Sequence, residues 1–272
     1  MQNNTRYIFC ISSGRSGTGY LAKLTGTAEN VRAFHEADPT MSGSYLRMID
    51  HFAYSETADQ RTIKVKKINQ IIESFKRKPW FLSKSNMIYV ETNHMFIKTF
   101  HDVVCKYFKN VEVIILRRRI AETLKSFIQL NYFTPYNPVS FEWMSSPNAI
   151  TAAIPAIDQD DKLDSCDKAI AYLIDIEARS QRFKREFPDI PTYELKLEML
   201  SEKSYIQNFF KVAQLNYTEK TDSFIGERIN ERKRKKEIHG IHVDLTYCQE
   251  RIEIYLRKAQ KKGIQIPTTL YI

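Results

Sequence analysis

Short apolar runs alternate with amphipathic stretches along most of this chain. Residues 7–13, YIFCISS, are rich in aromatic and β-branched side chains and stop at Gly14. A strand buried on both faces of a parallel sheet reads this way. TGYLAKLTG (18–26) then opens at helical spacing. NVRAFHEAD (30–38) predicts a second short strand with a polar end, and 41–79 predicts a basic helical region containing KVKKINQIIESFKRK. MIYVETNH (87–94) predicts a third strand and MFIKTFHDVVCKYF (95–108) an amphipathic helix, apolar every three to four residues. VEVIILRRR (111–119) predicts a fourth strand, with IAETLKSFIQL (120–130) as the helix after it.

The texture changes at 131–162, which hold four prolines and several aromatics. Irregular segments of this length inside compact domains are often functional, so this one is expected to form a lid or acceptor-binding segment. Beyond it, 168–188 predicts a long helix stopped by Pro188. TYELKLEML (192–200) starts as a strand and turns polar, and SYIQNFFKVAQLN (204–216) is amphipathic. A basic tract, INERKRKKEIHG (229–240), precedes a last helix at 247–263. No repeat or linker interrupts the order. Regular strand–helix alternation implies a three-layer α/β domain over 1–272, with a mainly parallel central sheet, a phosphate-binding loop and helices on both faces.

Charge and cysteines narrow the chemistry. The net charge of +9 points to an anionic ligand, substrate or surface. Cys10, Cys105, Cys166 and Cys248 lie far apart, without zinc or C-x-x-C spacing. No apolar run reaches the ~18 residues of a membrane span, and the start of the chain lacks a signal-peptide core, so a cytoplasmic protein is expected.

The loop GRSGTG (14–19) lies between strand and helix. Gly14 and Gly19 have Walker A separation, but Tyr20-Leu21 stand where that loop has Lys-Ser. Without the lysine for β/γ-phosphates and the hydroxyl for magnesium, kinase or ATPase chemistry is disfavoured. Gly17-Thr18-Gly19 lacks the third glycine of a dinucleotide fingerprint. The general physics survives. Gly14, Gly17 and Gly19 permit a tight turn whose amides point inward, the helix N-terminus adds positive potential, Ser16 and Thr18 add hydroxyls, and Arg15 adds a bidentate cation. A second strand–turn–helix repeats the theme: Arg117, Arg118 and Arg119 leave the fourth strand, and Ser126 lies two helical turns beyond Arg118. Arginine and serine so placed can clamp another phosphate.

Together, strand–GRSGTGYL–helix followed by strand–R-x7-S–helix resembles the sulfotransferases that use 3′-phosphoadenosine 5′-phosphosulfate (PAPS). The RSGT form is similar to the bacterial and tyrosylprotein types, and PTYELKLEMLSEKSYIQNFF resembles the family's later strand and helix. The resemblance implies the P-loop sulfotransferase fold and transfer of a sulfuryl group from PAPS, without a metal. It assigns Gly14, Arg15, Ser16, Gly17, Thr18 and Gly19 to the 5′-phosphosulfate, with Arg15 bridging the 5′-phosphate and the leaving sulfonate oxygen. Arg118 and Ser126 would hold the 3′-phosphate, with Arg117 as the alternative, since the family's aspartate–proline is replaced here by Arg119-Ile120. Arg232, in the late basic tract, would cover the same phosphate.

For the general base, Glu36 is the first choice and His35 the second, both emerging from the second strand's end; a tyrosylprotein-type glutamate falls at about this distance from the loop. Glu91 and His94, after the third strand, are further candidates for the base or for acceptor binding. His101 reads as an ordinary surface or core histidine. Trp143, Tyr132, Phe133 and Tyr136 would stack on an acceptor or pack the lid. The acceptor is expected to be a small molecule or glycan, with a mild preference for carbohydrate. Two other readings use the same residues: a phosphotransferase with a degenerate loop, and a non-enzymatic polyanion or nucleic-acid binder built on NERKRKK, which lacks a recognition motif for specific nucleic-acid contacts.

Overall fold

A computed structural model describes residues 5–54, 57–76, 87–227 and 243–272. Five strands form one sheet: β1 (Arg6–Ile11), β2 (Val31–Phe34), β3 (Ile88–Glu91), β4 (Val111–Arg117) and β5 (Thr192–Lys196). Their order is β2-β3-β1-β4-β5, and every neighbouring pair is parallel. Parallel strands need crossovers, so helices cover both faces and the strand tips share one edge.

Period-two alternation sorts each strand's side chains between two cores. Ile8 and Cys10 of β1 face the smaller core with Val90, Ile114 and Leu195, beneath α1 (Thr18–Thr25) and, later in the chain, the helix Lys203–Val212. Tyr7, Phe9 and Ile11 face the larger core, where Phe9 stacks on Phe96 at 4.9 Å. That side is covered by α2 (Ser44–Phe52), α3 (Ala58–Lys76), α4 (His101–Tyr107), α5 (Ile120–Ile128), α6 (Val139–Trp143) and α7 (Ser165–Glu186). The smaller core also receives α8 (Lys203–Val212) and the flank of α9 (Glu219–Phe224); α10 (Leu245–Lys261) returns to the larger one. Among the described residues no helix is long and apolar enough to cross a membrane.

Local differences from the sequence expectation have physical causes. The helical region expected at 41–79 divides, within its described part, into α2 and α3. The stretch at 95–108 is not one amphipathic helix. Phe96–Phe100 form a wider π-helical turn before α4, and all five of its side chains are buried. π-turns tend to occur at functional sites. The short α9 has no apolar periodicity to betray it; Thr218 and Thr221 cap it reciprocally, a threonine standing where the usual capping box has an acid or amide. Within 131–162 only α6 and a 3-10 turn at Asp160–Lys162 are regular.

One buried ion pair ties the sheet to the loops above it. Lys67 of α3 and Glu91 at the tip of β3 are both fully buried, with Nζ 2.6 Å from Oε1. Lys67 also donates to the Ala37 carbonyl at 2.9 Å, while Glu91 accepts from Tyr89 at 2.6 Å and Asn93 at 3.1 Å. The pair thereby fixes the turn after β2, where two candidate bases lie. Removing one partner strands a charge in a dry interior. Lys67→Met is expected to cost about 3–5 kcal/mol in urea unfolding, and Lys67→Met with Glu91→Gln distinctly less. Equal losses in the single and double variants would remove the pair from this role.

Candidate functional site

The loop after β1 reverses the chain through two left-handed residues, Arg15 (φ 65) and Gly17 (φ 88). At Gly17 this is obligatory: a Cβ there would come within 2.3 Å of Leu197 Cδ1. Arg15 adopts the same region despite its side chain, a strain of the kind that clusters at ligand sites. The first amides of α1, from Thr18 to Tyr20, precede its first intrahelical bond, from the Leu21 amide to the Gly17 carbonyl. Gly19 allows His35 to approach; the place of its missing Cβ lies 3.4 Å from His35 Nε2.

β1 and β4 are neighbours in the register Ile11↔Ile115, which brings their two C-terminal turns together. Arg118 Nη1 donates to the Arg15 carbonyl at 2.9 Å, and Arg15 Nε donates to Ser126 Oγ at 3.2 Å. The turns therefore meet across one cleft of about 1330 Å³. Gly14, Arg15, Gly17, Thr18, Gly19, Arg118 and Ser126 all line it, joined by Lys23 and Lys125. Arg117, by contrast, is spent on carboxylates: it bonds Glu177 through two nitrogens and Glu194 at 2.8 Å. Consecutive residues leaving a strand point to opposite sides, so only Arg118 reaches the cleft. Ser16 departs from the expectation for its hydroxyl. Its hydroxyl is buried against Ser13 Oγ at 2.5 Å and borders a separate small cavity rather than the cleft. Arg232 lies outside the described residues.

The cleft holds far more volume than one phosphate needs, and its far wall comes from the 131–162 segment. Tyr132, Val139, Trp143 and Met144 line it. Phe133 instead packs on Phe127 and Tyr172, and Tyr136 is 89% exposed.

Titratable groups converge on the floor. Glu36, itself left-handed at φ 51, lies with Oε1 3.6 Å from His94 Nε2 and 3.9 Å from His35 Nε2. Burial pushes the Glu36 carboxyl above the ordinary carboxylate range, against the pull of His35 and Lys98. His94 stacks on Trp143 at 5.5 Å, and burial, with Lys98 beside it, holds its pKa well below the usual imidazole value. Glu91 does not join them; it stays beneath the sheet edge with Lys67. His101 is a core residue whose pKa burial lowers to about 4. Lys98 was invisible to pattern reading because a lysine within an amphipathic stretch is expected on the wet face. Its immediate setting, MFIKTF, offered the one clue, a single charge between apolar neighbours on both sides.

No family model matches the chain and no curated protein matches it in sequence. Solved structures do match in shape. The sulfotransferase domain from the curacin biosynthetic pathway superposes with a TM-score of 0.50 and 12% identity, over 99% of this chain and 94% of that one. The sulfotransferase domain of the Synechococcus olefin synthase gives 0.49 and 11%, over 97% and 96%. A sulfotransferase from Alicyclobacillus acidocaldarius gives 0.48 and 8%, over 94% and 95%. At such identities the likeness speaks for architecture alone: by its match to the curacin-pathway domain, the chain has the sulfotransferase fold.

Proposed function

We propose that this protein is a sulfotransferase that moves a sulfuryl group from PAPS to a hydroxyl or amine acceptor. The observation behind the reading is the clasp of the two basic turns. A donor with a phosphosulfate at one end of an adenosine and a phosphate at the other needs two anion sites joined by one groove. The turns after β1 and β4 meet that description through Arg118, Arg15 and Ser126. A Walker-type site would centre its charge on one lysine, and here Tyr20 occupies that place, bonded to the Leu200 carbonyl at 3.1 Å.

The proposed chemistry is an in-line displacement. The acceptor oxygen or nitrogen bonds to sulfur as the bond from sulfur to the bridging phosphate oxygen breaks. Adenosine 3′,5′-bisphosphate (PAP) departs with the electron pair, and the acceptor's proton passes to the protein. Loop amides and Arg15 offset the charge growing on the leaving phosphate. Arg15 extends to Ser126, so in this reading it serves both ends of the donor rather than the sulfonate alone. Arg118 and Ser126 hold the 3′-phosphate, with no metal in any role. Glu36 takes the proton, because burial makes its carboxylate more basic. His35, 40% exposed and beside it, passes the proton to solvent.

Tyr132 and Trp143 on the far wall suit an acceptor with a flat, partly apolar face, and a carbohydrate fits best. Cys10, Cys105, Cys166 and Cys248 are all free, in keeping with a reducing, cytoplasmic setting.

Calorimetry with PAP in the presence of a chelator should show binding. Arg118→Ala should weaken it about 10- to 100-fold, the loss of a charge-assisted phosphate contact. Arg117→Ala should lower stability and leave PAP affinity close to native. No binding of PAP by the native protein would defeat the proposal. With labelled PAPS and a panel of acceptors, mass spectrometry should find a product heavier by one sulfate.

Glu36→Gln should reduce kcat by about 10²- to 10⁴-fold with the KM for PAPS unchanged. A protonated Glu36 cannot accept, so native kcat/KM should fall as pH drops through its raised pKa. That acid limb should lie above the ordinary carboxylate range and vanish in Glu36→Gln. A limb that persists there would assign the base elsewhere.

A further inference from the structure

Lys98 occupies the middle of the π-helical turn Phe96–Phe100 and has no exposed surface. Lysine is almost never buried this completely without partners. Its nitrogen lies 3.0 Å from His94 Nδ1 and 3.2 Å from Tyr172 Oη, and it donates to the Trp143 carbonyl. An ammonium has three N–H donors and no lone pair. The three groups around it supply one acceptor for each donor. The carbonyl can only accept, and the imidazole nitrogen can meet an ammonium only if it bears no proton. With Lys98 as the ammonium, His94 carries its proton on Nε2, the nitrogen that looks at Glu36 Oε1 from 3.6 Å. A proton turned toward a carboxylate is the attractive arrangement.

His35, on the other flank of Glu36, is held through the other ring nitrogen. Its Nδ1 lies 2.9 Å from the Thr92 carbonyl, which can only accept, and the Thr92 hydroxyl is committed to the Thr18 carbonyl at 2.9 Å. His35 therefore carries a proton on Nδ1. Burial draws the Lys98 pKa down most strongly. Asp50 of α2 and Glu36 favour the charge, while Arg179 of α7 and Arg47 of α2 oppose it.

We infer that Lys98 is a positioning residue: as a fully donated ammonium it holds His94 in the Nε2–H tautomer, which bars His94 from taking the acceptor's proton and leaves that proton to Glu36. Only the last clause rests on the proposed sulfuryl transfer. The tautomer is a property of the resting protein.

The test is nitrogen NMR of native protein labelled with ¹⁵N-histidine at neutral pH, with His35→Gln and His94→Gln identifying the two rings. A neutral His94 ring protonated on Nε2 is expected, and a His35 ring with a proton on Nδ1. A His94 ring protonated on Nδ1, or on both nitrogens, overturns the inference whatever any variant does. In Lys98→Met the single His94 tautomer should be lost. The rate constant kcat should fall on the order of 10- to 100-fold, as when an orienting partner is removed, with the KM for PAPS and PAP affinity unchanged. A His94 ring that keeps its tautomer in a folded Lys98→Met also overturns it. Failure of the native protein to bind PAP would remove the donor reading while leaving the spectrum to judge Lys98.

Discussion

The pairing of β1 with β4 is the constraint on which the site depends. In a parallel sheet every strand ends at the same edge, and adjacent strands place their following turns about one strand spacing, roughly 5 Å, apart. Register Cys10↔Ile114 and Ile11↔Ile115 sets the two turns at equal height. That is why residues more than a hundred positions apart, Arg15 and Ser126, share a hydrogen bond. Open α/β sheets bind ligands at the crevice beyond the strand ends for this reason. A shift of one residue between β1 and β4 would exchange the residues facing the two cores and turn Arg118 away from the loop.

A second constraint lies under the first. Several buried polar groups beneath the cleft are paired with others that belong to the site. Glu91 holds Lys67, which holds the Ala37 carbonyl beside Glu36. Lys98 holds His94 and the Trp143 carbonyl, so the far wall and the floor are fastened through one nitrogen. Apolar packing alone would stabilise these segments without orienting any ring or carboxyl. Buried hydrogen bonds do both, at the cost of taking charges out of water.

These two layers differ in how far they could be read from sequence. The sheet was legible because β1, β3 and β4 are continuous apolar runs, and both turns were legible because GRSGTG and R-x7-S are local spacings. Arg118 over Arg117 required the sheet as well: β4 ends at Arg117, whose neighbours Glu177 and Glu194 come from α7 and β5, far away in the chain. Ser16 looked like a phosphate hydroxyl until the loop's turn pointed it at Ser13. Glu91 and His94, three residues apart, read as equals, yet Lys67 claims one and the cleft the other. Apart from Ser16, what stayed hidden was a long-range pairing of a charge, on which periodicity is silent. The π-turn hid Lys98 further, since it turns a sequence of helical spacing into five consecutive buried positions.

The arginine clasp also explains how the cleft manages without a lysine in the loop. Tyr20, at that position, is bonded to the Leu200 carbonyl, accepts from the Gly226 amide and packs against Phe224, so it anchors α1 to the chain beyond β5. Positive charge is moved instead to two arginines that hold each other's surroundings: the carbonyl of Arg15 fixes Arg118, and the side chain of Arg15 reaches the serine two helical turns beyond Arg118. Each contact lowers the entropy still to be lost when an anion arrives at either end. An anion seated on the loop would draw on Arg15 and thereby disturb Ser126 and Arg118, and one seated on Ser126 would do the reverse. The two ends of the cleft are one unit because a single residue, held in a strained left-handed turn, is common to both.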